Sequence, residues 1–161
     1  MTTHTDSFTY QIIPNRELAA EDLALCDAAA AAALRAYAPY SRFHVGAALR
    51  LSNGRLIDGN NQENAAYPSG ICAERTALFT AAAAYPEANV LGLAISAFHD
   101  GHHVPYISPC GACRQVMMES EARQQVPIRV LLHGVSTTYV LTTVRALLPL
   151  WTPPKSTTPL R

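Results

Sequence analysis

The sequence predicts a layered α/β domain built on a mixed sheet. Three observations carry that expectation. Segments of helical and strand character alternate along the chain. An Asn-Gly pair sits between two strand-like runs. Of the 161 residues, 49% are apolar, enough to fill one real core.

Each element has its own justification. Pro14-Asn15 punctuates an N-terminal segment, and an alanine-rich run follows from about Glu17 to Ala36. Alanine is the best helix former, and Leu18, Leu25 and Ala29 recur at helical spacing. Pro39 stops that helix. Val45 to Leu51 and Arg55 to Asn60 then flank Ser52-Asn53-Gly54 as a hairpin. A second helix is expected near Cys72 to Tyr85, a buried strand at "VLGLAISAF", and a loop at "DGHHVPYISP". A third helix runs from about Cys110 to Gln124, "PIRVLLHG" is a strand, and Tyr139 to Leu148 reads as a short last helix. The chain divides into an N-terminal extension (1–16), one catalytic-size domain (17–150) and a mobile tail (151–161) with no capacity for a core.

Charge narrows the function classes. Twelve basic residues balance twelve acidic ones, so the surplus of positive charge expected of a nucleic-acid binder is missing. No apolar stretch is long enough to span a bilayer, and the opening "MTTHTDSFTY" lacks the pattern of a secretory signal. These features suit a soluble, cytoplasmic protein whose thiols stay reduced.

The four cysteines are the sharpest chemical feature. Cys26 sits among alanines and reads as a small buried hydrophobe. Cys110 and Cys113 lie about 60° apart on one helix face, just after Pro109, where the helix dipole favours thiolate. Alone, that spacing fits a redox dithiol as well as half of a metal site. Cys72 opens another helix directly after Pro68-Ser69-Gly70, with Glu74 two residues on. Two helix tips converging at one end of a sheet would offer three thiolates and a carboxylate. Three protein ligands with one open position is the layout of a catalytic zinc site.

The chain resembles the zinc-dependent cytidine deaminases, in the superfamily of nucleoside and base deaminases whose mechanism is well described. The resemblance rests on "YSRFHVGAAL", "GNNQENAAY", "ICAERTALF", "SPCGACRQVM" and "LLP", which stand in family order between about Glu17 and Pro149. It is closest to the small, all-cysteine, homotetrameric type. It implies a three-layer α/β/α sandwich with a mixed, roughly five-stranded sheet. It also implies hydrolytic deamination of cytidine and deoxycytidine, as in pyrimidine salvage.

The resemblance further implies a set of roles. Cys72, Cys110 and Cys113 would hold one Zn²⁺ per chain, and Glu74 would shuttle protons. Taken alone, Glu74 reads as an ordinary first-turn acid. Three thiolates on Zn²⁺ leave a net negative charge, and Arg75 is the best candidate to offset it, with Arg114 second. Asn61 and Glu63 match the nucleoside-binding N-x-E segment, Phe43 would stack on the base, and Ala73 and Tyr67 complete the substrate contacts. Tyr67 would reach a neighbouring subunit's site in a homotetramer. His44 stands where many relatives have Pro. Trp151 falls near the position of an aromatic that lies over the base in the family, and is expected to be buried either against its own domain or, as the resemblance favours, over a site. His102-His103, in a polar loop, reads as solvated.

Four rival readings make different demands. A purely structural zinc module requires a fourth protein ligand, which the spacing does not offer. A deaminase acting on DNA or RNA requires a basic or aromatic strand-binding surface. A deaminase of another nucleoside-like compound shares the cysteine core but not the N-x-E-N segment and Phe43. A redox dithiol protein would be switched by mild oxidation.

Overall fold

Central strands buried on both faces organise the molecule, and the computed structural model describes residues 1–151. β1 is Gln11–Pro14, followed by a 3-10 turn at Asn15–Glu17 and by α1, Ala20–Ala33. β2 (Phe43–Leu51) and β3 (Leu56–Asn60) form the expected hairpin. Gly54 takes a left-handed φ of 81° at the turn, a conformation open to glycine at little cost. Next come α2 (Ala73–Ala84), β4 (Val90–His99) and β5 (His102–His103). The chain continues through α3 (Gly111–Gln124), β6 (Arg129–His133) and β7 (Thr137–Leu141).

These strands form one seven-stranded sheet, ordered β1-β7-β6-β4-β2-β3 with β5 on β4. β4 and β6 run parallel, joined by the α3 crossover, and the other pairs are antiparallel. The sheet is mixed, as expected, and wider than the roughly five strands anticipated. The extra strands fall in segments whose sequences read as extension, loop and helix. The expected helix at Tyr139 to Leu148 is instead β7 followed by a 3-10 turn at Val144–Leu147. Thr137, Thr138, Tyr139 and Val140 are β-branched or aromatic, and pairing with β6 and β1 overrides the helical spacing. The tail beyond Trp151, expected to be mobile, lies outside the described residues.

Both sheet faces are covered. On one, Ala48, Ala94, Leu131 and Val140 pack with Leu25, Cys26 and Ala29 of α1. On the other, the alternate residues Ala47, Leu49, Leu93, Ile95, Val130 and Leu132 pack with Leu78 of α2 and Met117 of α3. The alanines of α1 serve this contact. A Cβ on Gly46 of β2 would stand 2.0 Å from the Ala29 carbonyl oxygen, so helix and strand touch almost backbone to backbone. Asp22 in the first turn of α1 is buried and ion-paired with Arg129 of β6 at 2.9 Å, which ties the helix start to the sheet.

The histidine loop corrects another expectation. His102 is exposed, but the His103 ring stacks on Phe98 at 4.6 Å, and its Nε2 lies 2.9 Å from Ser96 Oγ. His133 stands 5.1 Å away, ring to ring. The pairing of β5 with β4 turns His103 inward.

Candidate metal centre and active site

Two helix tips build the site. Before α2, Pro68 lies in a 3-10 turn at Tyr67–Ser69, and Ile71 exchanges backbone hydrogen bonds with Gln62 at 2.9 and 3.0 Å. Extended backbone at Cys72 then makes it the N-cap of α2. Cys110, after Pro109, is the N-cap of α3 in the same extended conformation. Neither N-cap makes a side-chain capping hydrogen bond. Both thiols are therefore left for other partners, at ends where the helix dipole favours negative charge. Cys113 lies in the first turn of α3 and is fully buried.

The three sulfurs converge. All lie within 4.8 Å of one another, and Cys72 and Cys110 are 3.8 Å apart. Sulfurs at two corners of a tetrahedral zinc with bonds of about 2.3 Å would be about 3.8 Å apart. The donors therefore fit zinc in type and in spacing. Among the described residues this is the one cluster of three or more His, Cys, Asp or Glu donors close enough to share a metal. Arg75 Nη2 donates to Cys72 Sγ at 3.5 Å, while its Nε is buried without a partner.

Electrostatics agree with that chemistry. The hydrogen bond from Cys113, then the Arg75 guanidinium, pushes the Cys72 thiol down to about 5 against the cost of its partial burial. The Cys113 thiol is pushed up by its bond to Cys72 and by burial. Glu74, 4% exposed, has its carboxyl raised mainly by burial and further by the Cys72 charge. An upward shift is the direction that suits a carboxyl acting as both general base and general acid.

A pocket of about 530 Å³ opens beside Cys72 and Arg75, and Tyr40, Ser41, Asn61, Glu63 and Tyr67 are among its walls. Phe43, Ala73 and Glu74 lie outside that lining. Ala73 is buried in the first turn of α2, and Phe43, half-buried at the start of β2, has its ring 5.7 Å from that of His99. Asn61 bridges backbone: Val45 N–H donates to its Oδ1 at 2.8 Å, and its Nδ2 donates to the Phe43 carbonyl at 2.9 Å. Glu63 accepts from the Tyr40 and Ser41 backbone N–H groups at 2.9 and 3.3 Å and from the Ser41 hydroxyl. The Ser41 hydroxyl is the main cause of its lowered pKa. Tyr67 is 79% exposed and packs edge-on against Tyr40 at 6.5 Å.

Two expectations change. Arg114 does not reach the thiolates, because its guanidinium is held by Pro109, Ser108 and Leu147. Trp151 is half-buried against its own core and lines a separate pocket with Phe8, Met118 and Leu148. Sequence reasoning passed over Tyr40 and Ser41 as wall residues. The signal available was "YSRF", two to three residues ahead of Phe43.

Comparison with known proteins follows the same lines. The family described as the cytidine and deoxycytidylate deaminase zinc-binding region matches residues 19–128. The cytidine deaminase of Halalkalibacterium halodurans is 52% identical over 84 residues, which are 52% of this chain and 60% of that protein. The match thus spans about three fifths of that relative's length. The cytidine deaminase of Mycobacterium tuberculosis is 43% identical over 101 residues, covering 61% of this chain and 72% of that protein. A crystal structure of cytidine deaminase from Burkholderia pseudomallei aligns with a TM-score of 0.67 at 42% identity, over 80% of this chain and 97% of that one.

Proposed function

Because this chain belongs to the cytidine and deoxycytidylate deaminase zinc-binding family, we propose that it hydrolyses cytidine and deoxycytidine to uridine and deoxyuridine, releasing ammonia. The observation that carries the reading is a three-thiol cluster at two helix tips with the buried Glu74 carboxyl beside it. Cys72, Cys110 and Cys113 would hold one zinc per chain, which would supply the Lewis acidity that activates water near neutral pH. Glu74 would take one proton from the attacking water and deliver it to ring nitrogen 3; as the new oxygen on ring carbon 4 becomes a carbonyl, Glu74 would take the second proton from it and pass it to the departing amine, which leaves as ammonia. Arg75, through Cys72, and the two helix N-termini offset the negative charge of three thiolates.

Binding follows from unused capacity. Glu63 carries three bonds on two oxygens, and a carboxylate has about four acceptor sites, so it can still accept from a sugar hydroxyl. Asn61 gives one amide hydrogen to Phe43, and its second is available to the ribose. Through the same contact Asn61 fixes the strand that carries Phe43, which stacks on the base. Ala73 and Tyr67 complete the substrate contacts, and exposed Tyr67 suits a homotetramer with shared pockets. We place the catalytic unit at 17–150, the protein in the cytoplasm and its role in pyrimidine salvage. Free thiols suit a reducing compartment, and among the described residues no helix is long and apolar enough to cross a membrane.

The test is the ultraviolet change on mixing purified protein with cytidine, repeated after chelation and with free cytosine. Turnover of cytidine that is lost with the metal, and much slower turnover of cytosine, is the expected result. Bound zinc without turnover of any nucleoside would assign the site to a structural role.

A further inference from the structure

We propose that Arg114 is a positioning residue for the metal centre, holding Cys110 in place by clamping the peptide before it to the 3-10 turn at Val144–Leu147. The inference rests on the zinc reading of the cysteine cluster.

Cys110 needs such a device. It is exposed, so core packing does not fix it, unlike fully buried Cys113. Its position depends on the backbone that enters α3. Arg114 lies one turn into that helix and folds its side chain back over the entry. Nε donates to the Pro109 carbonyl at 2.9 Å, Nη2 to Ser108 Oγ at 2.8 Å, and Nη1 to the Leu147 carbonyl at 3.1 Å. Two of these acceptors belong to the residues immediately ahead of Cys110. The third belongs to the "LLP" segment, far along the chain, which otherwise has no part in the chemistry.

The far end of the clamp is anchored. Val144 is fully buried and Leu147 nearly so. Buried Glu121 of α3 accepts from the Val144 and Ile128 backbone N–H groups at 2.9 and 2.8 Å and from the Thr143 hydroxyl. The 3-10 turn is thereby pinned to α3 and to the start of β6, and the guanidinium transfers that fixed point to Pro109. A planar fork with five donors can serve three acceptors in three directions, whereas a lysine ammonium on a flexible stem cannot. Arg75 and Arg114 therefore divide the work. Arg75 touches a sulfur, and Arg114 sets where a sulfur stands.

The experiment compares wild type, R114K, R114A and S108A, each loaded with zinc. Zinc release to an excess of a coloured chelator is timed, and thermal midpoints are measured with and without zinc. Both Arg114 variants should release zinc at least about tenfold faster, in the range found for residues that orient metal ligands. The midpoint gain conferred by zinc should shrink accordingly. S108A, which keeps the arginine and loses one acceptor, should show a smaller acceleration in the same direction. Release rates unchanged in S108A and within twofold of wild type in R114K would overturn the proposal. So would an equal fall of both midpoints that leaves the zinc gain intact, and so would full rescue by R114K. Wild-type protein that takes up no zinc would overturn the zinc reading itself, and the clamp with it.

Discussion

Cys26 and Cys72 carry the same side chain on opposite faces of one sheet, and their surroundings make them different chemical objects. Cys26 lies in the middle of α1 among Leu25, Ala29 and Ala48, wholly buried. Burial, then the Asp22 charge, pushes its thiol up to about 12, so it packs as a small hydrophobe. Cys72 caps α2, partly exposed, with Arg75 and two other thiols beside it, and is pushed down to about 5. A helix middle supplies apolar contacts and no free backbone N–H groups. A helix tip supplies free N–H groups, a favourable dipole and room for a partner. The same amino acid is filler in one place and, in the other, one of three donors close enough to share a metal ion.

The largest expected effect falls on the ligand side of that contrast. Cys110→Ala should abolish both bound zinc and turnover, read by metal analysis and by the cytidine assay. Glu74→Gln keeps the shape of the buried side chain and removes its proton chemistry. Turnover should fall at least about a hundredfold while zinc and pyrimidine binding persist. Near-normal turnover would remove Glu74 from the mechanism.

Smaller effects sharpen the comparison. Arg75→Gln should weaken zinc retention by about ten- to a hundredfold in a chelator competition, since it removes the charge partner of Cys72. On the α1 face, Cys26→Ala should keep zinc and turnover and cost about 1 kcal/mol of stability by denaturant titration. Metal loss in that variant would invert the whole assignment. Thiol labelling of chelated protein should modify exposed Cys110 readily and Cys26 last.

The smallest effect concerns acid. His103 and His133 both have pKa values below the ordinary imidazole value of 6.5, chiefly through burial. Asp27 opposes the shift at His133, and His103 adds to it. The unfolded chain therefore binds these protons more readily than the folded one. Their contribution to stability is full above pH 6.5 and is lost as pH falls through the lower folded values. The thermal midpoint should drop by a few degrees between pH 7 and pH 5, with a shallower slope in His133→Gln.

Legibility in the sequence follows how local each signal is. Helical repeats, the Asn-Gly turn and the Pro-preceded cysteines are written in neighbouring residues, and α1, α2, α3 and the β2–β3 hairpin stand where those signals lie. β1 has only four residues, ends in a proline and gains its identity by pairing Gln11–Pro14 with Thr137–Val140, more than a hundred residues away. β7 did carry a signal in Thr137-Thr138-Tyr139-Val140, masked by the spacing of the leucines that follow. The three-cysteine cluster was legible because helix tips converge at one end of such a sheet. The partners of Arg114 and the backbone bridge made by Asn61 are tertiary contacts that no local pattern encodes.

Three cysteines, without Cys26 and without a fourth protein sulfur, are expected to form an open metal site. X-ray absorption at the zinc edge of the purified protein tests it most directly. Three sulfurs at about 2.3 Å and one lighter neighbour at about 2.0 Å are the expected shell. A shell of four sulfurs, or one with none, would contradict the account.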